Sequence, residues 1–147
     1  GPLIGDNIGW GESNNLGTLY ANGEYLFFSG PDMEFKKGWL PSLESLYTNN
    51  VNIGSAGTVV SRIDANGSIK FTGGINLKFG GLVNQFCDFK YSLNLAKPLK
   101  IYVDSVLYPF IKKETLFMVG GFDPHYFYWE DDVDLGIRLK KMGLKTL

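Results

Sequence analysis

Gly23-Glu24-Tyr25-Leu26-Phe27-Phe28-Ser29-Gly30-Pro31-Asp32 is the stretch whose reading decides the fold. Tyr25 to Phe28 is apolar at every position, and three of the four residues are aromatic. A strand with one wet face alternates polar and apolar residues. An unbroken short apolar run suits a strand covered on both faces, as in a mostly parallel sheet. Gly30-Pro31 breaks the chain abruptly. Asp32 follows at once, with Glu34 two residues on. In open α/β sheets ligands bind beyond the carboxyl ends of strands. A carboxylate at that edge is placed to hold a hard divalent cation, and Asp32 and Glu34 share one face if the chain stays extended. The plainer reading is that Asp32 caps a turn and Glu34 is a solvated charge.

Upstream, residues 12–22 carry the spacing of a short helix, with Ser13 or Asn14 as cap, Leu16, Leu19 and Tyr20 on one face, and Gly23 as stop. Downstream, Trp39 to Tyr47 repeats helical spacing through Leu40, Leu43 and Leu46, with Pro41 tolerable in the first turn. Ile53 to Ile63 reads as a strand. Asn66-Gly67 is a hairpin turn signal, with Ser68 to Phe71 returning. Residues 73–98 are Gly- and Asn-rich and read as loop or irregular structure. Ile101 to Lys112 reads as a strand, Glu114 to Val119 as a short helix stopped by Gly120-Gly121, and Asp132 to Met142 as a final amphipathic helix ended by Gly143. The order predicts one α/β domain over 1–147.

Composition narrows the classes. The 147 residues are 44% hydrophobic and 15% aromatic, enough for a packed core. The net charge is −1, no basic block occurs, and Arg62 and Arg138 are the only arginines. These disfavour a nucleic-acid partner. Cys87 stands alone, so neither an intrachain disulfide nor a thiolate metal site is available. No apolar run reaches bilayer-spanning length.

A second acidic segment, Glu130-Asp131-Asp132-Val133-Asp134, opens the last helix directly after Tyr126-Phe127-Tyr128-Trp129. A helix N-terminus offsets part of the repulsion among four acids, and one acid can cap. The aromatic setting argues for more. Apolar walls raise a carboxyl pKa toward general-base range, and aromatic faces suit the apolar faces of sugar rings. His125, the only histidine, and Asn14-Asn15 are weaker signals, better read locally as structural or capping residues.

Three stretches together resemble family 2 glycosyltransferases, the rhamnosyltransferase-like branch in particular. Asn7-Ile8-Gly9-Trp10-Gly11-Glu12-Ser13-Asn14-Asn15-Leu16-Gly17 is similar to that family's Asn-x-Gly-aromatic-Gly-x-x-Asn-x-x-Gly segment. The run from Gly23 to Asp32 resembles the strand leading into its Asp-x-Asp-type motif. Gly120-Gly121-Phe122-Asp123-Pro124, then Trp129 to Leu135 and Arg138, resemble its Gly-Gly-Phe-Asp … Glu-Asp-x-Asp-Leu … Arg signature. The resemblance implies a GT-A fold, a nucleotide-diphosphate sugar donor and Mg²⁺ or Mn²⁺. Asn7, Gly9, Asn15 and Asp32 would contact the donor. Asp32, with Glu34 as a substitute ligand, would hold the metal. The catalytic base would come from Glu130, Asp131 or Asp132. Counting back from Asp134-Leu135 and Arg138 favours Asp132; counting forward from Trp129 favours Glu130-Asp131.

Gly30 stands where the family usually has Asn or Asp, and the family's opening strands would lie upstream of Asn7. The resemblance therefore implies that these residues alone lack part of the donor site. It also implies an inverting transfer to a glycan or lipid-linked acceptor, at the cytoplasm or the inner face of a membrane, with rhamnose on thymidine diphosphate as the branch's donor. A non-catalytic relic of the same fold and a nucleotidyltransferase are the rival expectations.

Overall fold

The structure, a computed structural model, describes residues 5–63, 69–77, 83–87 and 102–147. Its elements run α1 (Trp10–Tyr20), β1 (Tyr25–Phe27), α2 (Trp39–Asn49), β2 (Ile53–Ala56), β3 (Val60–Ile63), β4 (Ile69–Leu77), β5 (Val83–Cys87), β6 (Ser105–Val106), β7 (Phe110–Lys112), α3 (Lys113–Met118), α4 (Asp131–Lys141) and β8 (Lys145–Thr146). The domain is mixed α/β. One sheet has the order β1-β7-β2-β8, and a second joins β3, β4 and β5, with β6 also on β4.

The first sheet explains the apolar run. β1 pairs antiparallel with β7, Phe27 opposite Phe110, so it is an edge strand of a mixed sheet and not a member of a parallel one. It is nonetheless covered on both faces. Leu26 and Phe28 join Ile111, Leu116, Phe122, Leu135 and Leu139 on one side, while Tyr25 and Phe27 pack with Leu43, Leu46, Ile53 and Phe110 on the other. Alternate side chains of one strand thus serve two cores. Full burial of Phe122 or Leu116 contributes roughly 1.5–3 kcal/mol each. At the sheet centre every residue of β2 is buried. Gly54 lets α4 close over it, because a Cβ there would lie 2.9 Å from Leu144 and 3.0 Å from Leu139. The Tyr47 hydroxyl donates to the Phe110 carbonyl at 2.7 Å, tying α2 to the same sheet, and burial raises its pKa above the ordinary phenol value.

Several expectations are corrected. α1 begins at Trp10, not Glu12, and Leu19 and Tyr20 are exposed while Gly11 and Thr18 are buried. Ser13 and Asn14 do not cap it. Their side chains donate back to the carbonyls of Gly9 and Trp10. The strand expected over Ile53 to Ile63 divides at Gly57, because β2 and β3 belong to different sheets. At the division, Val106 occupies the place a Cβ on Gly57 would take, 2.6 Å away. The segment read as loop from residue 73 instead continues β4 to Leu77 and includes β5, which pairs antiparallel with it. Alternation there is blurred by Gly73-Gly74, and Gly74 accommodates β6 at close range. Asn66-Gly67 lies outside the described residues, although β3 and β4 pair antiparallel with Ile63 opposite Ile69, as a hairpin requires. Pro109 divides the strand expected up to Lys112 into β6 and β7. Among the described residues no helix is long and apolar enough to cross a membrane.

Candidate functional site

An aromatic cluster joins the start of α1, the end of β1 and the segment that precedes α4. Trp10, at the start of α1, meets Phe28 at 6.2 Å and Phe122 at 5.1 Å, and Phe28 meets Phe122 at 5.0 Å, all edge-to-face. Gly30-Pro31-Asp32 leaves this cluster two residues after Phe28. The segment from Phe122 to Glu130 also leaves it and wraps the start of α1.

That wrapping depends on close backbone contact. Gly9 has φ +89°, and a Cβ there would lie 2.6 Å from the Phe127 carbonyl oxygen. The Trp10 N–H donates to that same oxygen at 3.2 Å. The Asn7 Oδ1 accepts from the Gly9 N–H at 3.0 Å. Asn15 clamps the far end of the turn: its Oδ1 accepts from the Phe122 N–H at 2.8 Å and its Nδ2 donates to the Phe122 carbonyl at 2.8 Å. The same amide also donates to Glu12 at 3.2 Å, so both its hydrogens are engaged within the protein. Arg138 adds a third tie. It donates to the carbonyls of Val119 and Gly121 while its Nε and second terminal nitrogen hold Asp134 at 2.7 and 2.6 Å. Asn7, Gly9 and Asn15, expected at a donor, thus build the scaffold of the site through contacts within the chain.

The acids differ sharply in surroundings. Trp129 and Glu130 hold successive left-handed backbones, φ 73° and 68°. For residues other than glycine each costs of order 1–3 kcal/mol, a cost that clusters at functional sites. Glu130 is exposed and makes no side-chain cap bond to α4. Asp131 is only 7% exposed, and its Oδ2 has no hydrogen-bond partner among the described residues; it lies 3.6 Å from where a Cβ on Gly11 would be. Burial raises its pKa, partly offset by first-turn N–H groups. Asp132 is partly buried. Burial, then the adjacent Asp131 charge, push its carboxyl up to about 6. The Ser105 hydroxyl lies 2.8 Å from the Asp132 carbonyl oxygen and 3.3 Å from its Oδ2. Ser105, on β6, carries no signal in the sequence, being an ordinary serine 27 positions from the acid it touches.

Asp32 and Glu34 are exposed. Pro31 and Asp32 form a turn, so the extended geometry that would set both carboxylates on one face is not present there. The Asp32 side chain folds back over Gly30: a Cβ on Gly30 would lie 2.7 Å from Asp32 Oδ1 and 4.0 Å from the Tyr108 hydroxyl. Among the described residues no three His, Cys, Asp or Glu side chains gather to hold an ion. One or two carboxylates still fit a hard cation such as Mg²⁺, whose other ligands are commonly phosphate oxygens and water. His125 is exposed beside Asp123, whose carboxylate accepts from the His125 N–H and is held below its usual pKa chiefly by that bond.

Two hollows lie away from the acids. One, of about 240 Å³, sits between Tyr102, Asp104, Lys140 and Lys145; the other, of about 320 Å³, lies between α1 and α3 beside Asn15 and Phe117. Compared with protein-family models, curated proteins and solved structures, the chain matches none.

Proposed function

We propose that this chain is a sugar-transferring domain of the GT-A type, acting in an inverting glycosyltransferase that moves a sugar from a nucleotide-diphosphate donor to a glycan or lipid-linked acceptor. One observation carries the reading. The three stretches that resemble family 2 enzymes lie far apart in sequence yet meet at one place, through Asn15 with Phe122, Gly9 with Phe127 and Trp10 with Phe28. Two adjacent carboxylates, Asp131 buried and Asp132 partly buried, follow this meeting point at the start of α4.

Asp132 is the base in this reading. Asp131 is more deeply buried, and Glu130 projects into solvent. Asp132 remains partly accessible, and above a pH of about 6 it is ionised and a stronger base than an ordinary carboxylate. The acceptor O–H passes its proton to this carboxylate as the acceptor oxygen bonds to the anomeric carbon. The bond from that carbon to the diphosphate oxygen breaks, and the diphosphate leaves with the electron pair. Asp32, with Glu34 near it, would hold a divalent cation; when bound, such a cation stabilises charge on the departing diphosphate. Transfer at the cytoplasmic face of a membrane accords with a lipid-linked acceptor.

In the full-length protein, Asp132→Asn is expected to lower kcat by roughly 10²–10⁴-fold while leaving donor affinity nearly unchanged by calorimetry. Undiminished turnover in that variant overturns the base assignment. The rival reading is a non-catalytic relic, favoured by Gly30 where a second polar side chain would be expected. It predicts donor binding without transfer or donor hydrolysis in the unaltered protein.

A further inference from the structure

We infer that Tyr128 and Trp129 form a stacking corner for one neutral pyranose ring. The identification of that sugar with the acceptor rests on the transferase reading above; the binding itself does not. Both side chains are about two-thirds exposed, 65% and 66%, although each is large enough to be worth burying. Their rings meet edge-to-face at 5.1 Å and 76°, which sets two aromatic faces nearly at right angles. The left-handed backbone at Trp129 and Glu130 separates these outward rings from the inward Asp131. Phe127 is distinct, because its backbone is held against Gly9.

The chemistry around the corner selects the ligand. From Phe122 to Asp134 there is no lysine or arginine, while Asp123, Glu130, Asp131, Asp132 and Asp134 are all acids. A phosphate or other anion is disfavoured there. Hydroxyls of a neutral sugar can donate to exposed Glu130, while the ring's apolar C–H face lies on indole or phenol. A sugar seated on Trp129 would lie three residues from the base.

Indole fluorescence of the chain tests this directly, since Trp10 and Trp39 are partly buried while Trp129 is exposed. The probes are methyl glucoside, galactoside, mannoside and rhamnoside and their neutral disaccharides, with choline as a cationic control. At least one sugar probe is expected to give a saturable change. Trp129→Asn, which removes the ring but keeps a residue tolerant of left-handed backbone, should weaken it at least 10-fold. Tyr128→Ala should weaken it several-fold. Equal binding by Trp129→Asn, saturation by choline alone, or quenching explained only by self-association in sedimentation would overturn the inference. In the transfer assay Trp129→Asn should raise acceptor KM at least 10-fold with donor KM unchanged. Transfer with an unaltered acceptor KM defeats the corner and leaves the transferase. Ring-dependent sugar binding in a protein that transfers nothing defeats the transferase and leaves the corner.

Discussion

The two acidic segments are built from the same side chains and differ in almost everything else. Asp32 and Glu34 stand exposed at and just beyond a turn, with the Asp32 side chain folded back over Gly30. Asp131 and Asp132 open a helix, are largely removed from water, and sit against Gly11 and Ser105. A carboxylate in water keeps its charge and can lend it to a cation. A carboxylate under apolar walls holds its proton more tightly and can take one from a substrate. The difference in surroundings between like residues is therefore set by the packing of Phe122, Trp10 and β6.

The largest test of that contrast is the pH dependence of transfer. Activity should need ionised Asp132, so kcat/KM should fall about tenfold per pH unit below roughly 6, reaching about 100-fold near pH 4. Asp32→Asn should lower the rate yet keep the same acid limb. A limb that moves with Asp32 would reverse the two roles. Stability comes next. The folded Asp132 carboxyl holds its proton up to about pH 6, whereas the unfolded chain releases it near 3.8. Stability therefore falls as pH rises between those values, by at most about 3 kcal/mol. Asp132→Asn removes that fall, so its stability relative to the unaltered protein should be greater at pH 7 than at pH 4 in urea denaturation. Asp32→Asn should change stability by no more than about 0.5 kcal/mol at either pH.

A smaller effect probes the scaffold that keeps the two environments apart. Asn15→Ala strands a partly buried N–H and C=O on Phe122 and should cost roughly 1–3 kcal/mol, with loosened Phe122 amide protection in hydrogen exchange. The smallest lies on the surface behind α4. Lys140 pairs with Asp104 at 2.6 Å, but its side chain is mostly exposed, so Lys140→Ala should cost less than about 1 kcal/mol.

Much of this architecture was legible in local pattern. The apolar run from Tyr25 predicted a strand covered on both faces, and the spacing of Leu43 and Leu46 located the buried face of α2. What was illegible depended on distant partners. Leu19 and Tyr20 have helical spacing but stay exposed, because Asn15 and Trp10 fix which side of α1 faces inward. β5 was hidden because its pairing, not its composition, makes it a strand. At the site, the acids were visible as a cluster, yet the distinction among Glu130, Asp131 and Asp132 required the fold. Their burial is set by Gly11 and Ser105, and no spacing rule relates those positions to a carboxylate.

The Asn15 clamp has a consequence for synthesis as well as for stability. Its two bonds to Phe122 join positions 107 residues apart. A ribosome delivers one of these residues long before the other, and folding cannot close the pair until the intervening chain has emerged. Until then the first helix has no Phe122 to shield Trp10, and that indole stays uncovered on this side.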